Sequence, residues 1–300
     1  MNGSRLVRSV GLLKMMGRQS SSLPTFETLA VTRPADYVVS VQLNRPESRN
    51  SLNQKAWTEI GDCFNFLATD PDCRAVVLSG AGKSFCAGLD FKALAEFGQI
   101  AADGQLDVAR KAFLFKRIIK QFQDCFSAVE KCPKPVIASL HGAVVGGAID
   151  LIVACDIRYA SSDTLFSIRE VNIGIAADIG TLQRMPKAVA NDSWMRELAY
   201  TARDFQANEA LQHGLVSRVF PSVEETYAAS LKLATEIASK SPVAVQGTKV
   251  HLNYSRDHSV EEGLEFVANW NMCCLQSEDV MAAAMAAASR QTEPPTFSKL

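Results

Sequence analysis

From Tyr37 onward, short apolar runs alternate with longer stretches in which apolar side chains return every three or four positions. Tyr37-Val-Val-Ser-Val-Gln-Leu43 reads as a strand, and Gln54 to Leu67 as an amphipathic helix. Ala75-Val-Val-Leu78 is a short buried strand, followed by a glycine-bearing segment from Gly80 to Gly88. Lys111 to Val129 predicts a long helix, ended by Lys131-Cys132-Pro133. Pro135 to Leu140 is another buried strand, leading through His141-Gly142 into a helix from about Gly146 to Ala154. Strand character resumes over Asp156 to Ala160 and Thr164 to Ile168. Beyond Gly180 the pattern is helical, over 180–200, 206–213, 224–239, 243–254 and 260–288, with Pro186, Pro221 and Pro242 as separators. Repeated strand–helix units followed by helices predict an α/β core with a helical C-terminal extension. Helices at the end of a chain that find no cover on their own core find it on another subunit, so a homo-oligomer is expected.

Composition narrows the class. Apolar residues make up 47% and charged residues 21%, as in a soluble globular protein with a sizeable core. A net charge of −1 offers no general attraction to nucleic acid or an anionic membrane. The long apolar stretch Pro135 to Cys155 contains Asp150, whose mid-membrane cost of about 2.5–3.5 kcal/mol favours a buried strand, turn and helix over a membrane span. Eight cysteines include no Cys-x-x-Cys pair, and the four histidines form no ligand spacing with them. Reduced, mostly buried thiols and no metal site are expected. Arg5, Arg8, Lys14 and Arg18, with serines and no acid before Glu27, have the composition of a mitochondrial transit peptide. Ser298-Lys299-Leu300 matches the tripeptide read by the peroxisomal import receptor.

The candidate chemistry lies in three carboxylates set among glycine and apolar residues. Asp150 closes Gly142-Ala-Val-Val-Gly-Gly-Ala-Ile-Asp150, Asp178 lies within Gly174-Ile-Ala-Ala-Asp-Ile-Gly180, and Glu170 falls between them. Losing hydration costs an unpaired carboxylate several kcal/mol or forces it to take up a proton, which makes such groups candidates for acid/base work. Competing readings are a buried ion pair or a helix cap, the latter strongest for Asp178 beside Gly180. Two glycine turns, Ala87-Gly88-Leu89-Asp90 and Gly146-Gly147, can each present backbone N–H groups, and two donors converging on one oxygen make an oxyanion hole. Asp150, three residues after Gly147, shares its helical face. Gly80-Ala-Gly-Lys-Ser84 fails as a phosphate loop, because Val77 stands where a Walker glycine belongs, and as a dinucleotide fingerprint, because Phe85 ends it. His141 reads as a hydrogen-bonded structural residue, and Lys92 as a solvated lysine or a phosphate contact.

Ser84-Phe-Cys-Ala-Gly-Leu-Asp90, Pro135 to Asp150, and Arg169-Glu-Val-Asn-Ile-Gly174 resemble the crotonase (enoyl-CoA hydratase/isomerase) superfamily. Asn44-Arg-Pro46, Asn50-Ser-Leu52 and Ala210 to Val219 extend the resemblance over nearly the whole chain from about residue 30. Cys132 to Pro135, Ala176 to Gln183, Ser241 to Gly247 and Tyr254 to Val260 look like the dienoyl-CoA isomerase branch. The resemblance implies a ββα spiral core over 30–222, after a targeting segment over 1–29. It further implies a helical trimerisation region over 223–290 and a tail over 291–300, with assembly as trimers or hexamers. It puts the oxyanion-hole amides on Leu89 and Gly147, and substrate contacts on Ala87, Gly88, Asp90 and Phe91. Hydratases carry their two carboxylates at 150 and 170, usually glutamate at the first, and glycine at 178. This chain has aspartate at both 150 and 178, as dienoyl-CoA isomerases do. The expected reaction converts 3,5-dienoyl-CoA to 2,4-dienoyl-CoA, with Glu170 as base at C2, Asp178 as proton donor at C6 and Asp150 as supporting charge. No cofactor is implied, since CoA belongs to the substrate, and the location is peroxisome and/or mitochondrion. The rival readings are an enoyl-CoA hydratase and a non-catalytic acyl-CoA- or RNA-binding relative.

Overall fold

The computed structural model describes residues 22–289 and 295–300. The basic segment expected to be a targeting sequence lies outside the described residues as far as position 21. A six-stranded sheet runs in the order β1-β2-β3-β4-β6-β9, from β1 (Leu29–Ala35), β2 (Val38–Leu43), β3 (Ala75–Gly80), β4 (Val136–Leu140), β6 (Ile157–Ser161) and β9 (Arg218–Phe220). Only the β1–β2 hairpin is antiparallel; from β2 onward each strand pairs parallel with the next. A second sheet, β5-β7-β8, combines β5 (Ala143–Val145), β7 (Leu165–Ser167) and β8 (Phe205–Gln206).

Period-two alternation decides how the main sheet is covered. In β3, Val76 and Leu78 enter the main core, together with Trp57, Phe64 and Phe126 of the helices α1 (Gln54–Thr69) and α3 (Val108–Lys131). The intervening Ala75 and Val77 join Ala234 and Ala238 of α8 (Val223–Ala238) on the other face. α8, the first helix of the stretch 223–290, thus closes the second face of the chain's own sheet.

Other boundaries also moved. The apolar stretch from Pro135 to Cys155 resolves into β4, β5 and α4 (Gly147–Ile152), and no described helix is long and apolar enough to cross a membrane. The helical stretch 180–200 divides into α5 (Thr181–Ala188) and α6 (Asp192–Thr201), where Asn191 caps α6 by accepting from Trp194 N–H at 3.1 Å. Pro186 lies inside α5 rather than between helices. The bond it forgoes falls on exposed Leu182. α2 (Phe91–Ala102) was not expected. After α7 (Ala207–Gln212) and α8 come α9 (Pro242–Ser255), α10 (Val260–Cys274) and α11 (Glu278–Ala288), the last two replacing one predicted helix over 260–288. Val260, Leu264, Met272, Leu275, Met281 and Met285 on α10, α11 and their junction are at least 63% exposed. At the C-terminus, Arg74 donates to the carbonyls of Phe297 (2.8 Å) and Ser298 (3.3 Å), and Lys299 pairs with Asp72.

Candidate active site

Two backbone segments meet where the sequence places its glycine turns. Leu52 N–H donates to Gly88 O at 2.7 Å, and Asp90 N–H to Leu52 O at 3.0 Å. Successive peptide groups of an extended chain alternate in direction, so Leu89 N–H points away from Leu52. Gly88, at φ +89°, lies against Val145: a Cβ there would come within 2.7 Å of the Val145 carbonyl oxygen. Gly146 (φ 57°, ψ −125°) then reverses the chain into α4, in a conformation that only glycine adopts freely. Gly147 is the first residue of that helix, so its N–H has no partner within the helix. Among the described residues neither Leu89 N–H nor Gly147 N–H donates to an acceptor. Two unspent donors on adjoining segments are what an oxyanion hole requires.

The carboxylates converge on this place from three elements. Asp150, on α4, is 1% exposed, and its Oδ1 accepts from Thr181 N–H, the first amide of α5, at 2.6 Å. The helix-capping role anticipated for Asp178 thus belongs to Asp150, acting across the site on α5. Burial, and then the charge of Glu170, push Asp150 up to about 7 despite the opposing Thr181 hydrogen bond. Glu170 opens the 3₁₀ turn Glu170–Ile173, and its Oε1 lies 3.4 Å from where a Cβ on Gly146 would be. Its Oε2 is buried with no hydrogen-bond partner. Burial raises Glu170, and the charge of Asp178 adds to the rise. Burial likewise raises Asp178, which lies half-buried in the turn before α5. All three acids are thus raised, Asp150 the most. The charges of Glu170 and Asp178 add to the rise at Asp150, and that of Asp178 to the rise at Glu170.

Of the remaining candidates, Ala87 N–H is tied to Arg49 O at 3.0 Å, which fixes the turn. Asp90 pairs with Arg45 at 3.2 Å and caps α2 through Lys92 N–H, so its carboxylate is committed to the scaffold. Phe91 opens α2, with its side chain outside the described residues. His141 is the structural residue anticipated, with Nε2 3.1 Å from Gly82 O. Lys92 is exposed. Periodicity left no mark on Trp57, yet its indole lies beside Gly147, about where a Cβ would meet it at 3.4 Å, and stacks on Phe122 and Phe126 at 4.8 and 4.3 Å. No group of three or more His, Cys, Asp or Glu among the described residues is arranged to hold a metal ion.

Residues 34–292 match the family model described as enoyl-CoA hydratase/isomerase. The chain belongs to that family. Like other enoyl-CoA hydratase/isomerase chains, it has solved relatives in fold: a putative enoyl-CoA hydratase from Streptomyces coelicolor A3(2) superposes with a TM-score of 0.81 at 26% identity, covering 94% of this chain and 98% of that one. Within the family it is 52% identical, over 92% of its length and 84% of the relative's, to the mitochondrial Delta(3,5)-Delta(2,4)-dienoyl-CoA isomerase of Pongo abelii. To the peroxisomal Delta(3,5)-Delta(2,4)-dienoyl-CoA isomerase of Arabidopsis thaliana it is 42% identical, covering 93% of this chain and all of the relative.

Proposed function

We infer that this chain is an isomerase that converts 3,5-dienoyl-CoA to 2,4-dienoyl-CoA in the β-oxidation of unsaturated fatty acids. The observation that carries this reading is the third acid. Asp178 is near enough to raise Glu170 by its charge, yet it arrives on a different turn. One carboxylate does not easily reach both ends of a diene; two on separate segments do.

In this reading the thioester oxygen accepts from Leu89 N–H and Gly147 N–H. The carbonyl and the adjacent double bonds acidify C2, and Glu170 takes a proton there. The resulting enolate spreads over the oxygen, C2, C4 and C6. Asp178, whose hold on a proton burial strengthens, releases that proton to C6, the C–H bond forms there, and the double bonds settle at 2 and 4. Glu170 is left protonated and Asp178 ionised, and exchange with solvent restores both. Each oxyanion donor contributes roughly 10²–10³-fold and each acid/base group 10²–10⁴-fold. Asp150 acts as a supporting charge that also holds α5. A proton shift of this kind runs on these side chains and amides, with CoA entering as part of the substrate.

The same reading takes α9 to α11 as the oligomerisation region of a homotrimer or hexamer, which their exposed apolar side chains support. Mitochondrial and peroxisomal designations among the relatives support work in one or both compartments. Ser298-Lys299-Leu300 is the segment an import receptor would read. The residue roles are tested by running the reaction in D2O: the wild type is expected to place deuterium at C6 of the product, and Asp178→Asn to slow product formation by about 10²-fold or more. Full activity in Asp178→Asn overturns the assignment.

A further inference from the structure

Asp178 sits in a short turn with no regular structure of its own, and a proton donor must be held in place to reach a single carbon. The turn is fastened at consecutive backbone groups. Gln123 Nε2 donates to Asp178 O at 2.7 Å, and Arg184 Nη1 to Ile179 O at 3.4 Å. Arg184 is itself clamped: its Nε and Nη2 reach Glu130 Oε2 at 3.1 and 3.0 Å, and Nη2 also reaches Ser127 Oγ at 3.0 Å. Gln123, Ser127 and Glu130 follow one another at intervals of four and three, so they line one face of α3. Glu130 is held from its other side by Arg256, the C-cap residue of α9, whose Nη1 reaches Oε1 at 2.6 Å. Burial would push Glu130 up, but its hydrogen bonds and the charges of the two arginines outweigh that and hold it below the usual range. Gly180 leaves room for the clamp, since a Cβ there would collide with Arg184 Nη1.

We propose that Gln123, together with Arg184 as clamped by Ser127 and Glu130, positions the Asp178 carboxyl over C6. These are positioning residues, whose task is to commit the enolate to the 2,4-diene rather than back to the starting 3,5-diene. The proposal rests on the isomerase reading above. It predicts a failure of a particular kind. Proton removal at C2 by Glu170 does not depend on this rail, whereas proton delivery at C6 does.

The experiment follows 3,5-dienoyl-CoA in D2O with the purified full chain, measuring deuterium at C2 of recovered substrate against product formed. In Arg184→Lys and in Gln123→Leu that ratio is expected to rise about tenfold, because a misplacement of the order of 1 Å costs up to about 10²-fold at the affected step. The rate of C2 exchange itself stays within about twofold of wild type. Asp178→Asn marks the upper end of the ratio. Gln123→Leu removes one amide from one helix face and carries the test if Arg184→Lys does not fold. Exchange and product formation falling by the same factor, or an unchanged ratio, overturns the positioning role. A wild-type chain that forms no conjugated product overturns instead the isomerase reading beneath it.

Discussion

Asp150 is the most deeply buried of the three acids, and its titration gives a measurable consequence. Its carboxyl is raised from 3.8 to about 7 on folding. The folded chain therefore keeps a proton that the unfolded chain sheds above pH 4, so stability falls as pH rises from about 4 to about 7 and is level beyond. Asp150→Asn keeps an oxygen for Thr181 N–H and removes the titration. Between pH 4 and pH 8 its stability is expected to gain on wild type by up to about 4 kcal/mol, at 1.36 kcal/mol per pH unit. Guanidinium unfolding at several pH values checks this, and a stability difference that does not vary with pH would contradict it. Context alone marked Asp150, Glu170 and Asp178 in the sequence, since acids beside glycine in apolar runs need a reason to be there. Their division of labour was less visible. That Asp150 caps α5 depends on a contact between positions 31 apart, and Gln123 reaches the Asp178 carbonyl across 55. No local periodicity encodes such pairs.

At the scale of elements, the site depends on two turns approaching more closely than side chains allow. Gly88 combines a positive φ with a hypothetical Cβ 2.7 Å from Val145 O, so Gly88→Ala must part the segments that carry the two amides. The expected result is a loss of roughly 1–3 kcal/mol of stability from strain and of about 10²-fold in kcat as one donor leaves its place. Thermal unfolding and steady-state rates measure both, and an unchanged kcat would show that the amides are not the oxyanion hole. Legibility followed burial. β2, β3 and β4 are apolar runs buried in the sheet and were read close to their true limits. β1 escaped because Pro34 interrupts it, which an edge strand with an irregularity between Thr32 and Ala35 tolerates. β9, three residues at the opposite edge, is too short to show alternation. Helices 181–188 and 192–201 ran together in the sequence because the break between them is made by a cap at Asn191, while Pro186, the conspicuous breaker, sits within a helix.

For the whole molecule, the sheet's two faces are covered by the chain's own helices, but α10 and α11 leave large apolar side chains exposed, among them Val260 at 80% and Met285 at 68%. Surfaces of that kind mark association. Sedimentation of the purified chain is expected to give a trimer or a hexamer, and a monomer at micromolar concentration would contradict that assembly. Arg256, the C-cap residue of α9, pairs with Glu130, and Arg184 links Glu130 to the turn bearing Asp178, so the C-terminal helices and the turn of the proposed proton donor are joined by one network. The central claim remains the reaction itself. Purified chain mixed with 3,5-octadienoyl-CoA is expected to produce the ultraviolet absorbance of a conjugated 2,4-dienoyl thioester. No absorbance gain, alongside rapid hydration of a 2-enoyl-CoA by the same preparation, would contradict it.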